Sequence, residues 1–325
     1  SYNDGTAGYN VSAVRVLPDG TVLDPGGFHI SWANSYYLNF ASSVASDGVN
    51  SLVSYYYYYY LTGNLVRAVR VDGSGEMLDS PHLRLSFEYS PRGHTWLSTT
   101  TTFSSDRYLV AWYDYHEPGD PAIRNPTADL YANVVFPDGA VLYPQGVTVL
   151  AEPGHQLNPR LSAGNAGALM VFVDQARAVN DVRALRLDEN ADVLGTPFYV
   201  NVSGNAQYFP KLAAGAAPDG SFQLLAFWQD QRGDDFDVYA ARFDAQGVTQ
   251  DATALPVSTA PGNQIPGAVT FSSGQYWAVY ADERGGDRDI YVSRIAPDGT
   301  RLDPDGILLS GGPGDQEEPV AAADG

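Results

Sequence analysis

The residues best suited to chemistry in this sequence are aspartates gathered in two short acidic runs. One run, DQRGDDFD, begins at Asp230, and the other, DERGGDRD, begins at Asp282. Ca²⁺ takes six to eight oxygen ligands, so runs of this kind could bind it. The predicted calcium ligands are Asp234, Asp235, Asp237, Asp282, Asp287 and Asp289. Neither run has EF-hand spacing, and the alternative is a solvated acidic loop neutralised by Arg232 or Arg284.

A second group of ionisable residues lies in the segment Asp114–Leu130, DYHEPGDPAIRNPTADL, which is longer than its counterparts elsewhere in the chain. It brings together His116, Glu117, Asp120 and Arg124. The first three are metal-ligand types, although their spacing matches no known metal motif. We predict a ligand-binding site here, with a solvated loop as the alternative.

Six consecutive tyrosines, Tyr55–Tyr60, form a third candidate. Successive side chains of a strand point to opposite faces, so half of the run is expected to pack in the core. The last three, Tyr58, Tyr59 and Tyr60, are predicted to be exposed together with Trp96. Exposed aromatic residues offer apolar area and a polar group to a sugar ring or a peptide.

The composition excludes several classes of partner. A net charge of −20 and a pI near 4.3 would repel nucleic acid and anionic membranes. No apolar run reaches the roughly 18 residues of a membrane span, so membrane insertion is not expected. The absence of cysteine rules out a disulfide framework and a thiolate metal site. The chain begins at Ser1 without Met, as expected of a processed product or a fragment.

The elements that must position these residues are indicated by a ten-residue unit that occurs six times. It is RVLPDGTVLD over Arg15–Asp24 and RIAPDGTRLD over Arg294–Asp303, and successive copies start 52 to 64 residues apart. A period of this size is typical of propellers and solenoid arrays. The Asp-Gly or equivalent pair at the centre of each unit predicts a two-residue type I′ hairpin turn.

With that turn, counting outward places an arginine directly opposite an aspartate in four hairpins. The predicted pairs are Arg15 with Asp24, Arg70 with Asp79, Arg242 with Asp251, and Arg294 with Asp303. Such cross-strand pairs contribute roughly 0.2 to 1 kcal/mol each. The third unit places Val134 opposite Tyr143, whereas the fourth places Arg186 opposite Gly195, for which the sequence offers no partner.

Upstream of most hairpins another strand ends in a three-residue motif, an aromatic residue followed by any residue and then Asp, as in Trp228-Gln229-Asp230. These aromatic side chains are expected in the core between sheets. Four strands per unit predict an all-β fold, a single six-bladed β-propeller of four-stranded antiparallel blades over residues 1–325. Five blades are expected at about 36–88, 89–150, 155–203, 206–258 and 262–311. A sixth, shared between 1–31 and 312–325, is expected to close the ring.

The blade pattern D-x-R-x-G-x-x-D-I-Y-x-x-R-x-x-P-D-G, best matched by Asp282–Pro304, resembles the repeats of secreted bacterial β-propeller proteins. The resemblance implies the fold and an extracellular, cell-surface or periplasmic location, but no activity, because propellers host many functions. The stretch Gly93–Trp96 matches only one end of the Asp-box of sialidases, and first strands such as Leu97–Thr102 are poor in acids. Both observations weigh against a catalytic centre.

Three functions remain open, in order of preference. The first is a non-catalytic recognition or scaffold module that binds a glycan or an extracellular protein on the face bearing Tyr55–Tyr60 and Asp114–Leu130. The second is a carbohydrate-active hydrolase or lyase, and the third is an architectural subunit of an extracellular assembly. No catalytic residue is assigned, and Ca²⁺ is the one cofactor that the sequence suggests.

Overall fold

The computed structural model describes residues 10–31, 37–59, 63–86, 98–115, 127–164 and 167–323. All regular structure in these ranges is β-strand. No helix that could cross a membrane occurs in this described part of the chain. The chain forms two compact units, one of residues 1–159 with 188–192, the other of residues 160–187 with 193–325.

The first unit contains one two-stranded sheet and two four-stranded antiparallel sheets. The two-stranded sheet pairs β1 (Val11–Ala13) with β2 (Phe28–Ser31). The second sheet contains β3 (Tyr37–Ser46), β4 (Ser51–Tyr59), β5 (Gly63–Val71) and β6 (Leu83–Arg84) in that order. The third contains β7 (Thr99–Ser104), β8 (Arg107–Asp114), β9 (Asp129–Val135) and β10 (Val147–Leu150), also in sequential order.

Three further four-stranded antiparallel sheets follow, and nearly all of their residues belong to the second unit. Their strands are β11 (Gln156–Ala163), β12 (Ala168–Asp174), β13 (Asp181–Leu187) and β14 (Val193–Tyr199); β15 (Gln207–Ala216), β16 (Phe222–Asp230), β17 (Asp237–Asp244) and β18 (Leu255–Ser258); β19 (Gln264–Ser272), β20 (Gln275–Asp282), β21 (Asp289–Ile295) and β22 (Ile307–Ser310). The sequential strand order within each sheet is the meander predicted for a propeller blade.

The cores lie between successive sheets of the same unit. The middle strands are apolar on both faces, and β9 and β12 are buried along their whole length. Trp112 of β8 packs with Leu52 and Val66 of the preceding sheet, and Trp228 of β16 packs with Val171 of β12. The expectation that the aromatic residues before the strand-end aspartates form core between sheets is confirmed at both tryptophans, whose side chains are almost completely buried.

The strand register predicted for the hairpins is wrong by one residue, and so is the turn type. In the last hairpin the N–H of Gly299 donates to the carbonyl of Ala296, and the bridge joins Ile295 to Arg301, whereas the sequence analysis placed Ile295 opposite Leu302. Only Gly299 of this turn has positive φ, at 88°, so it is not type I′, which requires two such residues. The geometry is a three-residue loop with a bulge at the left-handed glycine.

The four predicted arginine–aspartate ion pairs are present despite the shifted register. In each hairpin both the backbone N–H and the guanidinium of the arginine donate to the aspartate carboxylate, with shortest distances of 2.5 to 2.8 Å in the salt bridges. The aspartate lies one position beyond the residue that faces the arginine in the ladder. Its side chain extends far enough to meet the guanidinium, so the ion pair forms despite the one-residue change in register. Three of the arginines also bond forward to the turn of the next hairpin, where Arg242 donates to Pro297 O at 2.7 Å.

The third and fourth hairpins replace this ion pair by other contacts. Val134 does not face Tyr143 as predicted; its carbonyl accepts from Leu142, and the amide of Asn133 bonds to the N–H and carbonyl of Tyr143. Arg186 faces Leu194, not Gly195. Its methylenes lie beside Gly247, where an added Cβ would be 3.1 Å from Arg186 Cδ.

Residues 311–323 contain no strand, although the predicted shared blade requires one in residues 312–325. Pro319 and Ala321 of this segment nevertheless pack on the sheet of β19–β22, the proline beside Gly267. The structure therefore leaves the shared sixth blade as a prediction.

Candidate functional site

One end of the four-stranded sheets from β7 onward carries a repeated pair of aspartates. The second strand of each sheet ends in Asp, the third strand begins with Asp, and the two residues are directly opposite in the ladder. The pairs are Asp114 with Asp129, Asp174 with Asp181, Asp230 with Asp237, and Asp282 with Asp289. Like charges directly opposite destabilise a sheet, so each pair needs compensation from its surroundings.

In the second unit arginines provide that compensation for the first aspartate of each pair. Arg183 Nη1 lies 2.5 Å from Asp174 Oδ2. Arg232 lies 3.0 Å from Asp230, and Arg284 lies 2.6 Å from Asp282. These carboxylates are almost completely buried, so each ion pair replaces the hydration that its aspartate loses.

The carboxyl of Asp114 differs from those of Asp174, Asp230 and Asp282 because no arginine bonds to it within the described ranges. Its Oδ1 is buried and has no hydrogen-bond partner within the described ranges. Burial raises the pKa of Asp114 to about 7, partly opposed by a hydrogen bond from the Tyr115 N–H. The residue two positions along, which is arginine after Asp230 and Asp282, is His116 here, and His116 lies outside the described residues.

Tyr115, the residue after Asp114, and His155 have rings that contact each other. Tyr115 is half-buried, and its ring centroid lies 6.2 Å from that of Tyr113 and 5.5 Å from that of His155. His155 is fixed in turn, because the backbone N–H of Ala128 donates to its Nδ1 at 3.1 Å. We call Asp114, Tyr115 and His155 the β8–β9 site. A protonated carboxyl can donate a hydrogen bond, and the rings offer apolar faces, so the group can hold a polar ligand that has one apolar face.

The position of His155 follows from a short turn that recurs before the first strand of several sheets. The amide of Gln156 donates to the carbonyls of Glu152 and Gly154, and its backbone N–H donates to Ala128 O at 2.7 Å. Asn263, before β19, and Asp315, in the segment after β22, occupy the place of His155 and likewise accept a backbone N–H from the preceding sheet. Only the histidine adds a ring to this contact.

Most of the ligand-binding residues predicted from the sequence lie outside the residue ranges that the structure describes. Tyr60, Trp96, His116, Glu117, Asp120 and Arg124 lie outside the described residues, and only the backbone of Tyr59 is described, in β4. Tyr58 is half-buried, Tyr55 and Tyr56 are buried, and Arg67 lies 4.3 Å above the ring of Tyr57. The tyrosine run thus contributes largely to packing over its described part.

The six predicted calcium ligands do not converge in the described structure. No group of three or more His, Asp or Glu side chains suited to a metal ion occurs among the residues described. Asp235 and Asp287 instead accept backbone N–H groups of Gly262 and Gly314, both at 2.9 Å. Asp289 accepts from Gly312 at 3.3 Å, and Asp282 is neutralised by Arg284. Burial and neighbouring carboxylates raise the pKa of Asp237 to about 6, and Asp234 is exposed.

Sequence reasoning placed Asp114 and Tyr115 at the start of the candidate segment Asp114–Leu130, but it singled out neither of them, nor His155, as a site residue. One signal was available for Asp114: the arginine that stands two positions after Asp230 and Asp282 is replaced by a histidine here. No comparable signal marked His155, because its contact with Tyr115 joins residues 40 positions apart in the sequence.

No protein-family model matches the sequence, and no curated protein matches it. Similar solved structures include the β-propeller domain of the Trilobed protease from Pyrococcus furiosus, with 11% identity over 87% of this chain and 81% of that one, at a TM-score of 0.48. An ulvan lyase bound to its sulfated oligosaccharide is 10% identical over 82% of this chain and 69% of that one, at 0.48. An endo-arabinanase from Bacillus licheniformis is 13% identical over 66% and 79%, at 0.37. At such values these similarities assign no activity to this chain.

Proposed function

We propose that this chain is a secreted or cell-surface β-propeller that binds a glycan at the β8–β9 site without transforming it. The observation that carries the proposal is Asp114 at the end of β8, whose Oδ1 is buried and has no hydrogen-bond partner in the described residues, followed directly by Tyr115, whose ring contacts that of His155. A buried polar atom of this kind costs free energy unless something bonds to it. A sugar hydroxyl would supply that bond, while the apolar face of a sugar ring packs on tyrosine.

The charge of the chain favours a neutral glycan at this site. With a net charge of −20, the protein repels polyanions at long range. No arginine or lysine side chain bonds to Asp114 within the described ranges, unlike the situation at Asp230 and Asp282. A neutral hydroxyl-rich ligand avoids this repulsion and still offers donors and acceptors to the carboxyl.

A glycan array with the purified chain, repeated in calcium and in chelator, tests this proposal. We expect selective binding that Tyr115→Ala and Asp114→Asn abolish. Tyr199→Ala is the matched control, because it removes a tyrosine of β14 that is 38% exposed, far along the chain from the β8–β9 site. A blank array, or binding that both site variants leave unchanged, would contradict glycan recognition here and favour a protein partner or an architectural role. Loss of binding in chelator would support the calcium prediction.

A carbohydrate-active hydrolase or lyase is the second candidate, and the pKa of about 7 at Asp114 favours it. A carboxyl that stays protonated near neutral pH can act as a general acid. An activity assay separates the two functions. The glycans that bind on the array are incubated with the chain, and new reducing ends or unsaturated products are measured. Turnover lost in Asp114→Asn with binding retained would establish the enzyme, whereas binding without products supports the recognition module.

We further propose that the sheets are blades of a six-bladed propeller, closed by a blade shared between residues 1–31 and 312–325. The support is the ten-residue unit that occurs six times in the sequence, together with the four-stranded sheets whose strands follow one another in chain order. A closed, compact chain of 325 residues should have a radius of gyration of about 20 Å by small-angle X-ray scattering. A value well above this would contradict closure.

A further inference from the structure

The fourth hairpin keeps the repeated arginine, Arg186, but lacks the aspartate that pairs with it elsewhere. Nine positions after Arg186 the sequence has Gly195. An aspartate occupies that place after the paired arginines, which are Arg15, Arg70, Arg242 and Arg294. The side chain of Arg186 is half-buried, and it forms no salt bridge or hydrogen bond with the described residues. A guanidinium that loses part of its hydration without gaining a bond costs free energy.

The side chain of Arg186 lies between two glycines. An added Cβ at Gly247, in the turn of the next hairpin, would lie 3.1 Å from Arg186 Cδ, so the stem of the arginine packs against that turn. An added Cβ at Gly195 would lie 3.7 Å from Arg186 Nη2. Because glycine has no side chain, residue 195 contributes no group to the space beside Nη2.

Arg186 lines a cavity of about 210 Å³ whose other walls are largely apolar. Leu169 and Leu194, which face Arg186 from the strands on either side of β13, both line it. Leu224 of the neighbouring sheet lines it as well, and Leu169 and Leu224 belong to one core cluster. Leu194 is 40% exposed, so this side of the cavity is in contact with solvent. Every residue that lines the cavity belongs to the unit of residues 160–187 and 193–325.

The charge around the cavity favours an anion. Among the described residues that line it, Arg186 is the only charged one. Asp188 follows two positions later, but its carboxylate accepts the backbone N–H groups of Asn190 and Asp192 in its own turn. The net charge of −20 repels anions at long range, although salt at physiological strength screens exposed charges beyond about 8 Å. The local charge is therefore that of one unpaired guanidinium beside an apolar wall.

We propose that a small aliphatic monocarboxylate binds in this cavity, with its carboxylate on the guanidinium of Arg186 and its chain against the leucines. In the four paired hairpins a carboxylate lies 2.5 to 2.8 Å from the guanidinium, and the ligand supplies the group that Gly195 lacks. Arginine suits a carboxylate because its planar fork can donate two parallel hydrogen bonds. The cavity has room for about seven water molecules, which limits the ligand to roughly six carbon atoms, the size of hexanoate. This site does not depend on the proposed function, because the β8–β9 site lies in the other unit.

Titration of the purified chain with hexanoate, followed by saturation-transfer NMR of the ligand, tests the proposal. Acetate keeps only the carboxylate and 1-hexanol only the chain, and we expect both to bind more weakly than hexanoate. Arg186→Met keeps the apolar stem and should weaken hexanoate binding about tenfold or more, as does loss of one charged hydrogen bond. Arg301→Met is the matched control, because it removes a positive charge from the same unit, and its Nη1 makes only long contacts of 3.3 and 3.4 Å. No binding of hexanoate, or equal affinity in the two methionine variants, would overturn the assignment.

Gly195→Asp gives a second, independent test, because it restores the carboxylate that the other hairpins carry. We expect the new side chain to pair with Arg186 and to abolish hexanoate binding. Gly204→Asp is the matched control: it adds the same charge at a glycine with φ of 76°, against 83° at Gly195, and nothing lies within 4 Å of its added Cβ. Because the backbone strain is shared, Gly195→Asp should also unfold at a higher urea concentration than Gly204→Asp. Equal hexanoate affinity in the two aspartate variants would refute the proposal.

Discussion

Asp251→Asn tests whether the hairpin ion pairs hold neighbouring sheets together. In the native protein the carboxylate of Asp251 accepts three hydrogen bonds from Arg242: from the backbone N–H at 2.6 Å, from Nε at 3.0 Å and from Nη2 at 2.5 Å. The same guanidinium donates to Pro297 O of the next hairpin at 2.7 Å. The side chains are 13% and 4% exposed for the arginine and the aspartate, so little water replaces a lost partner.

The magnitude follows from what the asparagine amide can still do. Its oxygen can accept from the backbone N–H and from Nε, but its NH₂ group then faces Nη2 of Arg242, donor against donor. One charge-assisted bond, about 1.5 to 3 kcal/mol, is lost, and the buried guanidinium loses its counter-ion. Removing one partner of a buried pair costs about 3 to 5 kcal/mol, a large part of the about 5 to 15 kcal/mol that holds a domain folded.

Urea unfolding followed by tyrosine and tryptophan fluorescence measures this cost. Asp24→Asn is the matched control, because it makes the same change in the first hairpin, where Arg15 and Asp24 are 31% and 18% exposed. We expect a clearly smaller loss there, since exposed pairs are screened by solvent. Equal losses at both hairpins, or a loss below about 1 kcal/mol for Asp251→Asn, would refute the reasoning that burial sets the strength of these contacts.

Three further predictions concern backbone, pH and a buried hydroxyl. Gly299→Ala should destabilise the protein more than Gly48→Ala, because only at Gly299 would the new Cβ lie 2.9 Å from the guanidinium carbon of Arg242. Both glycines have φ near 90°, so both variants share a backbone strain of about 1 to 2 kcal/mol, and equal urea midpoints would contradict the prediction. Burial raises the pKa of Asp237 from 3.8 to about 6, so the stability that Asp237 contributes is greatest below pH 3.8 and is lost as pH rises to about 6. Urea titrations at several pH values should show a smaller loss of unfolding free energy over this range in Asp237→Asn than in the native protein. Tyr276→Phe should leave the unfolding free energy within about 1 kcal/mol of native or raise it, because the hydroxyl has no partner in the described residues, whereas Tyr280→Phe loses a 3.0 Å bond to a serine and should be less stable.

The sequence alone was sufficient for the features that depend on residues close together in the chain. The ten-residue unit located the hairpins that carry the ion pairs, and the arginine and aspartate nine positions apart indicated the four predicted pairs. The strand-end motif located buried aromatic residues such as Trp112 and Trp228. These features follow from the period-two alternation of strands and from turn chemistry, which act within a few residues.

The tertiary structure alone decided the hairpin register and the composition of the candidate site. An Asp-Gly pair is compatible with two kinds of turn, and the left-handed glycine at Gly299 packs against Arg242 of the preceding sheet, a contact between residues 57 positions apart. The pKa of Asp114 and the pairing of Tyr115 with His155 likewise depend on which distant groups surround them. Burial and the distances between charges are properties of the folded chain, and they are not encoded at any single position of the sequence.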